Sequence, residues 1–203
     1  MIDTSRVEAV VIGGSAGAFT GLKQLMPALP AALRVPVIIV LHQPQDRPSA
    51  VAAIFGRDTR PPVKEVDDKE PLSPGTVYLA PPGYHLLIES GRTAALTVDE
   101  PVHFSRPSID VLFESAADVF GRSLLGVILS GANDDGARGA AAIERADGVV
   151  LIQDPETAEH ATMPRAAYAA APAAVVASID GIAAILASLG ESPTLQAPGN
   201  PHG

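Results

Sequence analysis

Apolar runs that stop abruptly at small or polar residues alternate along the chain with segments whose apolar positions recur at helical spacing. VEAVVIG, from Val7, reads as a buried strand, and a helix follows from about Ala18 through LKQLM to Pro27. VPVIIVL is a second strand ending at Leu41. A proline-rich loop, a short helix over SAVAAIF and a short strand, VKEV, come next. Between Thr76 and Val98 the character changes: TVYLA, YHLLIE and TAALTV are short strands separated by PPG and SGR turns. That stretch reads as an antiparallel hairpin or meander appended to the sheet. SIDVLFESAADVF puts Ile109, Leu112, Phe113, Ala116 and Phe120 on one helical stripe, with Ser108 placed to cap it. LLGVILS is a buried strand followed by a helix from about Asp135 to Ala146. GVVLIQ, the helix MPRAAYAAA, the strand AVVAS and the helix IDGIAAILASL complete the pattern.

Strands alternating with helices predict an α/β fold, a doubly wound, mostly parallel, Rossmann-like sheet with an appended antiparallel hairpin. Fully apolar strands such as VPVIIVL fit burial on both faces. Residues 1–189 are expected to form one domain, and the Pro/Gly-rich 190–203 a disordered tail. A length of 203 residues at 47% hydrophobic and 18% charged suits one well-buried domain.

A formal net charge of −9 argues against a nucleic-acid partner, which needs a basic stripe. The absence of cysteine excludes disulfides, thiolate zinc ligation and thiol catalysis. MIDTSRVEA has no signal pattern and no segment is long and apolar enough to insert in a membrane, so a cytoplasmic protein is expected. With 4% aromatic residues and no tryptophan, a base- or sugar-stacking platform is unsupported.

In a doubly wound sheet ligands bind beyond the carboxyl ends of the strands, so the residues just after each strand matter most. The first strand ends in Gly13-Gly14-Ser15-Ala16-Gly17, a G-x-S-x-G that either cradles a phosphate or lifts Ser15 as a nucleophile. The second delivers His42, and LLGVILS leads to Asp134 and Asp135. A hydroxyl, an imidazole and a carboxylate at one sheet edge are what acyl transfer requires. Each also has a plainer use: Ser15 as a cap of the first helix, His42 as a satisfied polar residue, the aspartates as cap and first-turn acid. The dinucleotide alternative lacks a glycine at Ser15 and an acid ending the second strand, and no P-loop lysine is present. The histidines are scattered without metal-site spacing. His85 and His103 read as surface or rim residues, and His160 and His202 have no partner near in sequence.

IGGSAGA around Ser15, LHQP around His42, LSPGTVYLAPPGYHL, FSRPSIDVLFESAA, GVILSGANDDGARGA and MPRAA occur in that order. Together they make the chain resemble, from roughly Val7 to Leu189, the catalytic domain of the chemotaxis protein-glutamate methylesterases (CheB). The resemblance implies hydrolysis of glutamate γ-methyl esters on chemoreceptor helices, with deamidation of certain glutamines as a related activity and no cofactor. It implies Ser15 as nucleophile, His42 as base and Asp135, not Asp134, as the orienting carboxylate. Backbone N–H groups near Ala16 and Gly17, with Ala132 as a further donor, would meet the oxyanion, and Arg106 would line the cleft.

The chain departs from that family where Gly131-Ala132-Asn133 stands for the usual Gly-Met-Gly. That loop supports a second reading, a catalytically weak or silent relative that binds a receptor or signalling partner. A third is a nucleotide-binding module. Typical members also carry an amino-terminal receiver domain, for which a first strand starting at Val7 leaves no room; a stand-alone esterase or a fragment is expected.

Overall fold

In the computed structural model, residues 2–42 and 50–190 are described. Gln43 and Pro44 of LHQP, most of the proline-rich loop and the expected tail beyond Gly190 lie outside the described residues.

β1 (Ala9–Gly14) is the axis of a seven-stranded sheet. With β2 (Val37–Leu41), β3 (Val63–Glu65), β4 (Val77–Leu79), β7 (Leu124–Ile128), β8 (Val149–Gln153) and β9 (Val175–Ala177), the order is β3-β4-β2-β1-β7-β8-β9. All neighbours in it run parallel. The two-stranded sheet of β5 (His85–Glu89) and β6 (Thr93–Thr97) is antiparallel.

The period of two along each strand sorts the core into layers. Ala9, Val11, Ile38, Val40, Tyr78 and Ile128 face one cluster. Val10, Ile12, Val37, Ile39, Val77 and Val127 face the other. The helices α3 (Ile109–Phe120), α4 (Ala137–Arg145) and α5 (Thr162–Ala170) cover the first face. The second is covered by α1 (Ala18–Leu25), α2 (Val51–Phe55) and α6 (Ile179–Ala187). Ser108 caps α3 as its sequence implies, accepting from the Val111 N–H at 3.5 Å.

One element differs from expectation. TVYLA is not part of the antiparallel unit: β4 lies inside the main sheet, parallel to both β2 and β3. Its buried Val77, Tyr78 and Leu79 are apolar on both faces, the signature of an interior parallel strand. β5 and β6, each with partly exposed positions, form the hairpin alone. The Ile88 N–H bonds the Ser115 hydroxyl at 3.1 Å, which ties the hairpin to α3.

The connections run outward from β1 through β2 to β4 and β3, then return to β7 on the other side of β1. The switch point therefore lies between β1 and β7, and a ligand crevice belongs beyond their carboxyl ends.

The contact between α3 and α4 is tight: a Cβ on Gly139 would sit 2.4 Å from Phe113 Cβ. Gly139→Ala is expected to lower the unfolding free energy by about 1–3 kcal/mol through overpacking. Urea denaturation checks this, and an unchanged midpoint would show that the two helices can move apart freely.

Candidate active site

The carboxyl end of β1 is built from small residues because its neighbours come close. A Cβ on Gly13 would lie 2.3 Å from Ile109 Cγ2, so only glycine lets α3 approach the strand. Past the strand, the Ser15 N–H donates to Ser130 O at 3.0 Å and Ser15 O accepts from Ala18 N–H at 3.0 Å. Gly17, with φ 79°, precedes α1 and gives it no side-chain cap. The chain thus turns sharply at Ser15, and Ser15 does not cap the helix that follows.

The same turn is ill-suited to phosphate. A Cβ on Gly17 would lie 2.6 Å from Glu159 Cβ and 3.0 Å from Glu159 Oε2. That carboxylate lies at the helix N-terminus, where a phosphate would need to be, and like charge opposes it.

β2 brings His42 alongside. Gly14 pairs with Leu41, and the His42 N–H donates to Gly14 O at 3.1 Å. The register therefore sets His42 beside Ser15, on backbones about 4.8 Å apart. The His42 imidazole turns Nε2 toward Asp135 Oδ2 at 2.8 Å. Its Nδ1 faces the Ser105 hydroxyl at 3.3 Å.

Asp135 is fully buried. Besides His42, it accepts from Ser108 Oγ at 2.8 Å, the Ile109 N–H at 2.7 Å and the Asp110 N–H at 3.0 Å. These groups are the cap and first turn of α3, so Asp135 serves the helix across from it and not α4. Burial opposes its ionisation, but the bond from His42, then the N–H groups of Asp110 and Ile109, outweigh it and hold the carboxyl below its ordinary value. An ionised Asp135 takes the proton-bearing Nε2–H, which leaves Nδ1 with its lone pair as the basic nitrogen.

The relation is returned by Asp110, also fully buried. Its Oδ1 accepts from the Gly136 and Gly139 N–H groups at 2.9 and 2.8 Å, and its Oδ2 from Arg138 Nε at 3.0 Å. Each aspartate closes the N-terminus of the helix that the other precedes or begins. His103 lies against the pair, with Nε2 3.5 Å from Asp110 Oδ2 and Nδ1 3.0 Å from Asp134 Oδ1.

Ser130, at the end of β7, joins the remaining loops. Its hydroxyl donates to Ala16 O at 2.8 Å and accepts from the His160 N–H at 2.9 Å, while its own N–H donates to Gln153 Oε1 at 2.9 Å. Among the described residues no acceptor takes the N–H of Ala16, Gly17 or Ala132. Ala16 and Ala132 are exposed and Gly17 is half-buried. The Arg106 guanidinium donates to Val98 O and Asp99 O, both at 2.9 Å, and so ties its own segment to the loop after β6.

Ser15, His42 and Asp135 thus come from three strand ends to one edge. His85, expected at the surface or rim, is buried: its Nδ1 accepts from the Ser108 N–H at 3.2 Å and its Nε2 donates to Glu100 O at 3.1 Å. Its sequence position inside YHLLIE, alternating with apolar residues, carried that signal. Ser105, Ser130 and Gln153 were not foreseen; Ser130 and Gln153 are polar residues at the carboxyl ends of buried strands, the one cue available.

Ser15, His42 and Asp135 stand at the carboxyl edge of the sheet, in the segments that follow β1, β2 and β7. A cavity of about 300 Å³ beside that edge is lined by Gly17, Gln24, Gln153, Glu159 and Asp180, and one of about 620 Å³ lies at the opposite ends of the strands, by Leu124 and Val149. Neither is lined by Ser15, His42 or Asp135. Among the described residues no group of side chains is arranged to hold a metal ion, and no helix is long and apolar enough to cross a membrane.

The family model for CheB methylesterase matches residues 10–186. A Leptospira interrogans protein, named provisionally as a protein-glutamate methylesterase/protein-glutamine glutaminase, is 43% identical over 91% of this chain and 96% of its own. Proteins carrying that name without qualification in Clostridium acetobutylicum and Symbiobacterium thermophilum are 34% and 37% identical over 90% of this chain. The chain spans only 53% and 51% of those two. The crystal structure of the Thermotoga maritima CheB methylesterase catalytic domain superposes with a TM-score of 0.85 at 30% identity. That match covers 90% of this chain and 98% of that one.

Asp135, with its native carboxyl held below the ordinary 3.8, stabilises the fold fully above that value and loses this contribution as pH falls through the depressed one. Asp135→Asn should therefore be less stable than the parent near neutrality, with the gap narrowing below about pH 3.8. Urea unfolding across that range checks it; parallel curves would sink the assignment.

Proposed function

The chain belongs to the CheB methylesterase family, and from that premise we propose that it hydrolyses glutamate γ-methyl esters on chemoreceptor helices through Ser15, His42 and Asp135. The single observation that carries this reading is the His42–Asp135 pair, 2.8 Å apart at the strand end next to Ser15, with Asp135 fixed on the first turn of α3.

His42 Nδ1 takes the Ser15 proton as Oγ attacks the ester carbonyl. The protonated imidazole then gives that proton to the departing methoxide, and methanol leaves. Water repeats the sequence on the acyl-enzyme and frees the glutamate. Asp135 holds the ring and stabilises the imidazolium, without itself being protonated. The N–H groups of Ala16 and Gly17, with that of Ala132, are the donors for the oxyanion, each worth about 3 kcal/mol of barrier. No step requires a cofactor. A glutamine carboxamide with ammonia as leaving group follows the same route, the second activity in the relatives' names.

In this reading the substrate is a side chain presented from a macromolecular surface to the carboxyl edge of the sheet. Phe104, fully exposed next to Ser105, is an apolar contact for the receptor helix in this reading. Residues 1–189 are the catalytic domain in this reading, and the cytoplasmic face of the receptor is where it acts. The loop Gly131-Ala132-Asn133 favours one alternative, a relative that binds without turnover: it lacks the long apolar side chain usual there, and Ala132 is exposed.

Methanol release from a methylated receptor fragment is expected from the intact chain and not from Ser15→Ala. Binding without release by the intact chain would instead favour the silent relative. Asp135→Asn should lower the rate by about 10⁴, as in serine-protease triads. Asp134→Asn, at an exposed residue outside the pair, should cost less than about tenfold. Equal losses would reassign the carboxylate.

A further inference from the structure

The turn that carries Ser105 has no part in the chemistry described so far, yet it is held firmly over the base. Val102 and Ser105 exchange backbone hydrogen bonds, Val102 N–H to Ser105 O at 3.1 Å and Ser105 N–H to Val102 O at 2.8 Å. The two residues between them, His103 and Phe104, both have positive φ, 49° and 59°. Neither is glycine, and such a turn persists where its surroundings over-determine it. The surroundings are the His103 contacts to Asp134 and Asp110 on one side and the Arg106 contacts to Val98 and Asp99 on the other. The result is a hydroxyl, Ser105 Oγ, 3.3 Å from His42 Nδ1, with His103 O as a backbone acceptor for its proton at 3.4 Å.

His42 Nε2 is committed to Asp135, so all proton transfer runs through Nδ1. In the second half-reaction a water must stand within hydrogen-bond reach of that nitrogen and point a lone pair at the acyl carbon. One contact cannot orient a water; a second acceptor beside Nδ1 can.

On the esterase reading above, we propose that Ser105 is a positioning residue that orients the hydrolytic water of the acyl-enzyme. With its own proton on His103 O, Ser105 Oγ accepts one water hydrogen while His42 Nδ1 accepts the other. The water oxygen attacks the Ser15 ester carbon as Nδ1 takes its proton. The C–O bond to Ser15 then breaks, His42 returns the proton to Ser15 Oγ, and the product leaves as the carboxylic acid, which ionises. Acylation, which needs no water, does not involve Ser105.

The test separates the two halves of the reaction. The intact chain, Ser105→Ala and Ser105→Thr are given a p-nitrophenyl ester with and without hydroxylamine, a nucleophile that needs no general base. Labelling of Ser15 by a fluorophosphonate is measured alongside. Ser105→Ala should keep the labelling rate and the p-nitrophenol burst, while steady-state hydrolysis falls about tenfold and the hydroxamate share of product rises. Ser105→Thr, which retains the hydroxyl, should restore the partition. A burst and steady state that fall together, or a partition that does not move, would overturn the inference while leaving the esterase reading intact. An intact chain that takes no label at Ser15 would overturn both.

Discussion

Two buried carboxylates, each closing the other's helix, are the constraint on which the rest of this molecule depends. Asp135 receives the first N–H groups of α3, and Asp110 in that turn receives those at the start of α4. A fully buried charge is costly unless it is met by donors and opposite charge. Here the donors are helix N-termini, whose unpaired N–H groups are themselves costly when buried, at about 1–3 kcal/mol each. Each group thus removes the penalty of the other. The exchange fixes the separation and rotation of α3 and α4 together, and His42 takes its orientation from one member of it.

From that lock the edge of the sheet is assembled outward. α3 is pressed onto β1 at Gly13, so the strand end and the Ser15 turn keep a set distance from Asp135. The β1–β2 register puts His42 in the row beside Ser15. Ser130 links the turn after Ser15 to the loop at His160, and Gln153 holds Ser130. The electrostatic result is one-directional: an ionised Asp135 holds Nε2–H, and the lone pair of the ring is left on Nδ1, on the side of Ser105.

Much of this was legible in the sequence. The apolar runs gave the strands because a parallel interior strand is buried on both faces, and the residues after them gave Ser15, His42 and Asp135. What the letters did not convey were partners in space. The PPG turn after TVYLA looked like hairpin chemistry, but the hydrogen bonds of β4 go to β2 and β3, a choice made by the sheet. Asp135 sat just before a helix and invited a local cap, whereas it serves a helix that begins 26 residues earlier in the chain. His85 was read by its polarity as peripheral, and its burial follows from the backbone groups of Ser108 and Glu100 that meet both ring nitrogens. Ser105 had no signal of its own, since its place over His42 depends on two residues held at positive φ.

The mutual capping also bears on how such a protein can change over generations. Ser15 is half-buried on a turn and has no side-chain partner among the described residues, so a lineage abandoning catalysis can discard it without disturbing the fold. Ala132, exposed on its loop, is equally dispensable to folding. Asp135 is not, because losing it strands the start of α3. The carboxylate should therefore outlive the activity in descendants that have turned to binding alone. On the proposed mechanism, in a survey of such chains the serine, and not the aspartate, is the letter that distinguishes a working enzyme from a retired one.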